Sequence, residues 1–250
     1  VTYDVSDAAG NAATQVTRTV TVTSSPIMTI SSSTVSSGGS TSTDPIGIVF
    51  SSSKTTTDFS LSDVSVSGGS LSNLSGSGKT YTATFTATGD GSKTIDIGAG
   101  GFTNSSGNGN VASEQFSYTY DSTFPTLDTS KLLLNISEGT TGLGRIYADE
   151  SVTWSVTGDG VSVDSAGSLT LSSPADFSVK TSHSITVKGT DAVGNSSSVP
   201  VTVEVDDISS PVLDYSGLVK SINDGGTALG TITADEPVTW SIEGSGVSIN

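Results

Sequence analysis

The stretch from Asp121 to Asp164 returns without a gap as Asp207 to Asn250, at an offset of roughly 86 residues and with about half of its positions unchanged. Ala148-Asp149-Glu150-Ser151-Val152-Thr153-Trp154-Ser155 comes back as Ala234-Asp235-Glu236-Pro237-Val238-Thr239-Trp240-Ser241, and Gly142-Leu143-Gly144 as Ala228-Leu229-Gly230. A second echo joins Asp7-Ala8-Ala9-Gly10-Asn11 to Asp191-Ala192-Val193-Gly194-Asn195, each followed by a Val/Thr-rich run. A chain that repeats itself at this spacing is a series of small modules whose contacts are mainly with their neighbours in the same chain. The repeat predicts the closing strands of one domain over 1–25, a complete domain over 26–120, a second over 121–206, and the opening half of a third over 207–250.

Within the modules the period is two. Tyr81, Ala83, Phe85 and Ala87 alternate with Thr80, Thr82, Thr84 and Thr86, and Val199, Val201, Val203 and Val205 alternate with Pro200, Thr202 and Glu204. Such segments bury one face and wet the other. In 121–206 about seven strands are expected, near Leu132, Leu143, Val152, Val161, Leu169, Ile185 and Val201, separated by Gly, Asp, Asn and Ser turns. With 33% hydrophobic and 6% aromatic residues the chain has material for several thin cores rather than one large one. The predicted fold class is all-β, tandem immunoglobulin-like β-sandwich domains in a linear array.

Nine basic residues against 25 acidic ones give a net charge of −16, which disfavours nucleic acid and anionic membrane surfaces as partners. The same acidity supplies oxygen ligands for a hard divalent cation, or simply solubility. The chain has no cysteine, so neither disulfides nor thiolate metal sites brace it. No apolar run reaches the length of a membrane span, and an export signal or anchor is expected to lie outside this sequence.

The opening Val1-Thr2-Tyr3-Asp4-Val5-Ser6-Asp7-Ala8-Ala9-Gly10-Asn11, with its echo at Asp191, resembles the last two strands of bacterial Ig-like domains from large repetitive surface adhesins. The run Asp58-Phe59-Ser60-Leu61-Ser62-Asp63-Val64-Ser65-Val66, then Gly69-Ser70-Leu71-Ser72-Asn73-Leu74, then Gly101-Phe102-Thr103 with Gly107-Asn108, resembles another bacterial Ig-like type from such proteins. The unit from Asp121 is partly cadherin-like, although the cadherin linker sequence is absent. The resemblance implies an extracellular array that extends a binding tip from the cell, is often rigidified by calcium, and is not an enzyme.

Strand parity points to metal separately. If the first strand of the 121–206 unit leaves the pole where the chain enters and each later strand reverses, the loop after the second strand and the loop before the last both return to that pole. Those loops carry Asp149, Glu150, Asp191 and Asn195, and Asp121 lies in the incoming linker. Calcium takes six to eight oxygens at roughly 2.3–2.6 Å, which carboxylates, the Asn side chain and backbone carbonyls can furnish. The next junction offers Asp206 and Asp207 in the linker with Asp235 and Glu236 in the equivalent loop. The competing reading is that Asp-x-x-Gly-Asn loops use their Asp and Asn to build turns, and that Asp-Glu pairs are merely solvated. At the first junction Ser24-Ser25-Pro26 carries no carboxylate, so it is expected to be the least braced if calcium stiffens the array.

Other chemistry is thinner. Trp154 and Trp240 recur between valines of one strand face and read as core. His183 is the single histidine, and no nucleophile elbow accompanies it. Gly98-Ala99-Gly100-Gly101 precedes no helix and reads as a turn rather than a phosphate cradle. Sequons at Asn73, Asn104, Asn135 and Asn195 leave glycosylation open. The leading function is a structural stalk of a secreted or surface-anchored bacterial protein. Its rivals are a self-associating extracellular filament or surface layer, and a carbohydrate- or protein-binding module drawing on Phe102, Phe116, Tyr118 and Tyr120.

Overall fold

The computed structural model describes every residue except 1, 4, 15, 20–22, 220 and 250. Val1 and Asp4 of the opening motif, and Asn250 at the end of the repeat, lie outside the described residues. The chain divides into two compact units, Val1–Thr123 and Phe124–Asn250.

The first unit begins with an antiparallel pair, β1 (Thr2–Tyr3) and β2 (Val16–Thr17). Seven strands follow: β3 (Met28–Ser31), β4 (Ser40–Thr41), β5 (Ile46–Thr56), β6 (Val64–Ser67), β7 (Gly69–Ala87), β8 (Gly91–Ile97) and β9 (Phe116–Tyr120). They form two sheets, β3-β5-β7 and β4-β9-β8-β6, antiparallel throughout except that β4 runs parallel to β9. Alternation decides which side chains meet between the sheets. Ile46, Ile48 and Phe50 of β5 and Tyr81, Ala83 and Phe85 of β7 are buried, with Ile95, Ile97, Phe116 and Tyr118 of the other sheet in the same cluster. Phe59 sits in the middle of an aromatic group, its ring centroid 5.3 Å from Phe50, 5.0 Å from Tyr81 and 5.4 Å from Phe102. Edge-to-face contacts of this kind add about 0.5–1.5 kcal/mol per pair beyond area burial, which helps so small a core.

The second unit repeats the plan. Its strands are β10 (Leu127–Asp128), β11 (Asn135–Ser137), β12 (Gly142–Arg145), β13 (Tyr147–Ala148), β14 (Thr153–Thr157), β15 (Val161–Val163), β16 (Ser168–Leu171), β17 (Ser182–Thr190) and β18 (Ser196–Asp206). β11-β18-β17-β14 faces β12-β16-β15 across a core of Ile136, Leu143, Ile146, Leu169, Val187 and Val203. The strand expected around Leu132 is reduced to a single bridge, Leu132 to Gly144, because the first strand is split. β10 pairs antiparallel with β13, and β11 then crosses to pair parallel with β18.

Residues beyond Asp206 reproduce the start of this unit bond for bond. β19 (Leu213–Leu218) and β20 (Gly230–Ala234) pair Leu213 with Ala234 as β10 and β13 pair Leu127 with Ala148. Leu218 meets Gly230 as Leu132 meets Gly144. Glycine is required there: Gly144 and Gly230 have φ of +89° and +101°, and a Cβ would lie 2.3 Å from the Lys131 carbonyl oxygen or 2.0 Å from that of Gly217.

Candidate functional site

One loop design recurs four times, starting at Asp7, Asn104, Asp164 and Asp191. In each, the backbone N–H of the first residue donates to the carbonyl four residues on, at 3.0, 3.0, 3.1 and 2.9 Å. The side-chain oxygen of that first residue accepts the N–H groups two and four residues later. The fourth position is glycine at φ +88°, +76°, +85° and +99°, a left-handed conformation that other residues adopt only at a cost. Asp or Asn begins each loop because a short side chain bearing an oxygen is what can cap its own turn. Three of the loops are also framed by the same bridge, Ser6 to Ala12, Thr103 to Gly109 and Thr190 to Ser196.

At the pole where the chain enters the second unit, Asp191 Oδ1 accepts from Val193, Gly194 and Asn195 at 2.9, 2.7 and 2.8 Å, and Oδ2 accepts from the Asn195 side-chain amide at 2.8 Å. Burial of Asp191 opposes its ionisation, but the Asn195 amide and these backbone N–H groups outweigh it and hold the carboxyl below the usual carboxylate range. The turn-building role is therefore visible in the hydrogen bonds. The strand ladder puts the other loop at the same pole, since Thr153 pairs with Thr190 and Thr190 with Ser196. Carboxylate oxygens of Glu150 and Asp191 lie within 4.8 Å of each other. Asp149 caps the incoming chain, accepting from the Thr126 N–H at 2.8 Å, and that donor holds its carboxyl below the usual range. Asp121 belongs to the first unit, where its carboxylate accepts from the Thr123 N–H at 3.0 Å.

Among the described residues, Asp206, Asp207, Asp235 and Glu236 are not gathered into a metal-ligating group of three or more. Asp235 accepts from the Val212 N–H at 2.8 Å, the counterpart of Asp149 with Thr126. A hydrogen bond with Asp207 pushes the Glu236 carboxyl above its usual range, reinforced by desolvation and by the charges of Asp207, Asp235 and Glu138. Glu138 also accepts from the Phe177 N–H at 2.9 Å, a contact across 39 residues that no local pattern announces. A groove of about 430 Å³ is lined by Glu138, Asp176, Phe177, Ser209, Asp235 and Glu236. Asp206 ends β18 and is exposed.

The first junction is held by amides. Ser24 carries no carboxylate, yet its carbonyl receives the Asn104 side-chain amide at 3.1 Å, and the Thr23 carbonyl receives that of Asn108 at 2.9 Å. The Val111 N–H donates to the Pro26 carbonyl at 3.0 Å. A search for carboxylates passes over Asn104 and Asn108, although their spacing matches Asp191 and Asn195.

Of the aromatics named for a recognition face, Phe102, Phe116 and Tyr118 are buried in the core of the first unit, and Tyr120 is partly buried against it. Trp154 is half-buried against the core of the second. His183 lies on β17 with both ring nitrogens inaccessible and without a hydrogen-bond partner. Asn104 and Asn195 are buried in their loops, which removes them as glycosylation acceptors, whereas Asn73 and Asn135 are exposed.

Residues 22–120 match the bacterial Ig-like domain family. The two-sheet architecture of the second unit is of the same immunoglobulin-like kind. Among solved structures the chain is similar to invasin, a bacterial integrin-binding protein, at 18% identity and a TM-score of 0.42, covering 71% of this chain and 38% of that one. It is similar to protocadherin gamma B7 extracellular cadherin domains 1–4 at 17% identity and a TM-score of 0.40, covering 86% and 60%. It is similar to mouse cadherin-23 EC22-24 at 12% identity and a TM-score of 0.39, covering 86% and 79%. The chain spans less than two thirds of the invasin and protocadherin structures. No curated protein matches the chain.

Proposed function

We propose that this chain is a stalk segment of a larger extracellular bacterial adhesin, in which stacked Ig-like sandwiches supply reach and calcium at the acidic poles supplies stiffness. The observation that carries the reading is the repetition of one hydrogen-bonded framework: Asp235 with Val212 copies Asp149 with Thr126, and β19 with β20 copies β10 with β13. Selection that preserves the linker cap and the loop behind it, while changing about half of the remaining positions, acts on how one domain follows another. An extracellular setting accords with the bacterial Ig-like domain. Among the described residues no helix is long and apolar enough to cross a membrane.

The donor sets suit calcium. Glu150 with Asp191 offers paired hard oxygens at a pole already shaped by hydrogen bonds. At the second pole Asp207 and Glu236 crowd each other, and a divalent cation would replace their repulsion with shared coordination. When bound, the ion would supply only charge neutralisation and cross-linking.

Thermal unfolding and small-angle scattering, each with excess calcium and then with chelator, test the proposal. A higher melting temperature and a longer particle with calcium are expected. No change in either removes calcium from the mechanism and leaves the carboxylates as turn builders. A second reading is self-association through edge strands or lateral faces of the sandwiches. A particle mass that climbs with concentration would favour it.

A further inference from the structure

The four Asx-x-x-Gly loops share their backbone but differ in what they present. Where aspartate comes first and asparagine four residues later, the second carboxylate oxygen takes that side-chain amide: Asn11 donates to Asp7 at 3.0 Å, and Asn195 to Asp191 at 2.8 Å. The pole then shows anionic oxygen. At Asn104 the side-chain oxygen is committed to the Ser106 and Asn108 N–H groups, both at 3.0 Å, which fixes the amide so that its nitrogen faces outward. With no carboxylate to meet, the Asn108 amide also turns outward. Both nitrogens land on consecutive carbonyls of the chain entering the sandwich, Ser24 and Thr23. Asn108 further contacts the Thr23 hydroxyl.

We infer that Asn104 and Asn108 form a metal-independent clamp on the incoming linker, and that Asn or Asp at the first loop position selects whether a pole grips backbone carbonyls or holds a cation. The first half stands on the hydrogen bonds alone. The second half rests on the calcium reading given above. Chemically the distinction is sharp: an amide nitrogen only donates and repels a cation, whereas a carboxylate only accepts and repels a carbonyl oxygen. Asn104 is 8% exposed, so its amide has little water to fall back on if the Ser24 carbonyl leaves. The site thus takes a peptide carbonyl as its ligand, and two adjacent carbonyls fix the direction of the linker as well as its position.

The test uses the full chain and measures backbone order at Thr23, Ser24 and Ser25, and amide hydrogen exchange at Val111, whose N–H donates to the Pro26 carbonyl beside the clamp, with calcium and with chelator. In the wild type both readouts should ignore chelation. Asn108→Ala should lower order at these residues and raise exchange at the Val111 amide about tenfold, the scale of one lost hydrogen bond. Asn104→Asp keeps the oxygen that caps Ser106 and Asn108, so the loop persists, but it sets a carboxylate against the Ser24 carbonyl. It should loosen the linker in chelator and recover order with calcium. Linker order that is unchanged in Asn108→Ala, or that collapses on chelation of the wild type, overturns the clamp. Asn104→Asp left loose in excess calcium overturns the selection by loop residue. The Asp191 loop amides in the same samples report the calcium reading separately: if they ignore calcium, that reading fails while the clamp is still judged on Asn108→Ala.

Discussion

Asp191 and Asn195 close on each other through their side chains at 2.8 Å, while the backbone between them turns over a glycine at φ +99°. The carboxylate accepts three further backbone N–H groups of its own loop, so the last hairpin of the second sandwich is organised around one charge.

Asp191→Asn keeps the oxygen that caps the loop but sets an amide against the Asn195 amide. It should cost about 1–3 kcal/mol at neutral pH, the range for hydrogen bonds to a charged group. The folded-state pKa of Asp191 lies below its unfolded value, so its contribution is present above the unfolded pKa of about 3.9 and disappears as pH falls through the folded value. Urea denaturation of wild type and variant should therefore differ at pH 7 and converge in strong acid.

Tyr118 is buried with no hydrogen-bond partner on its hydroxyl. Tyr118→Phe should be neutral or stabilising by about 1 kcal/mol, since it removes an unsatisfied polar atom without changing the ring. Burial, with the charge of Asp44 and then Tyr120, pushes the phenol up to about 12, so ultraviolet titration should show one tyrosine ionising only in strong alkali. Loss of several kcal/mol in the variant would mean the hydroxyl has a partner.

Gly144→Ala forces a Cβ to 2.3 Å from the Lys131 carbonyl oxygen at φ +89° and should cost about 1–3 kcal/mol or more. Gly142→Ala, two residues away, meets no atom within 4 Å and should change stability by less than about 1 kcal/mol in either direction. Equilibrium unfolding of the pair checks the contrast.

Glu236 titrates the other way. Its folded pKa is raised, so the favourable arrangement is complete below the unfolded value of about 4.3 and is lost as pH climbs through the folded value. The backbone amide resonance of Glu236 should move with pH above the unfolded value in the wild type. In Glu236→Gln it should be insensitive to pH across that window.

The sandwiches were legible in the sequence because strand alternation is local. Tyr81, Ala83 and Phe85 announce their burial by spacing alone, and they are buried. The meeting of the Glu150 and Asp191 loops was legible from strand parity, which needs only the number of reversals. What each carboxylate touches was not legible. Asp191 is spent largely on its own turn, and Asn104 was hidden because an amide was not sought where carboxylates were. Glu138 escaped because its partner Phe177 lies across the sandwich. The repeat itself held a clue that the structure explains. Gly142 becomes Ala228 while Gly144 remains Gly230, and only the latter pair has no room for a Cβ.

Parallel pairing in both units bears on how these domains respond to force. β4 runs alongside β9 through Ser40 with Thr119 and Thr41 with Tyr120, and β11 alongside β18 from Asn135 with Glu204 to Ser137 with Asp206. Glu138 extends the second ladder by donating to the Asp206 carbonyl, and Asp121 extends the first by donating to that of Thr41. When an early strand and the last strand point the same way, tension applied at opposite ends slides them past each other. The bonds between them must then yield together rather than peel one at a time, so a few short ladders set the load at which each sandwich gives way.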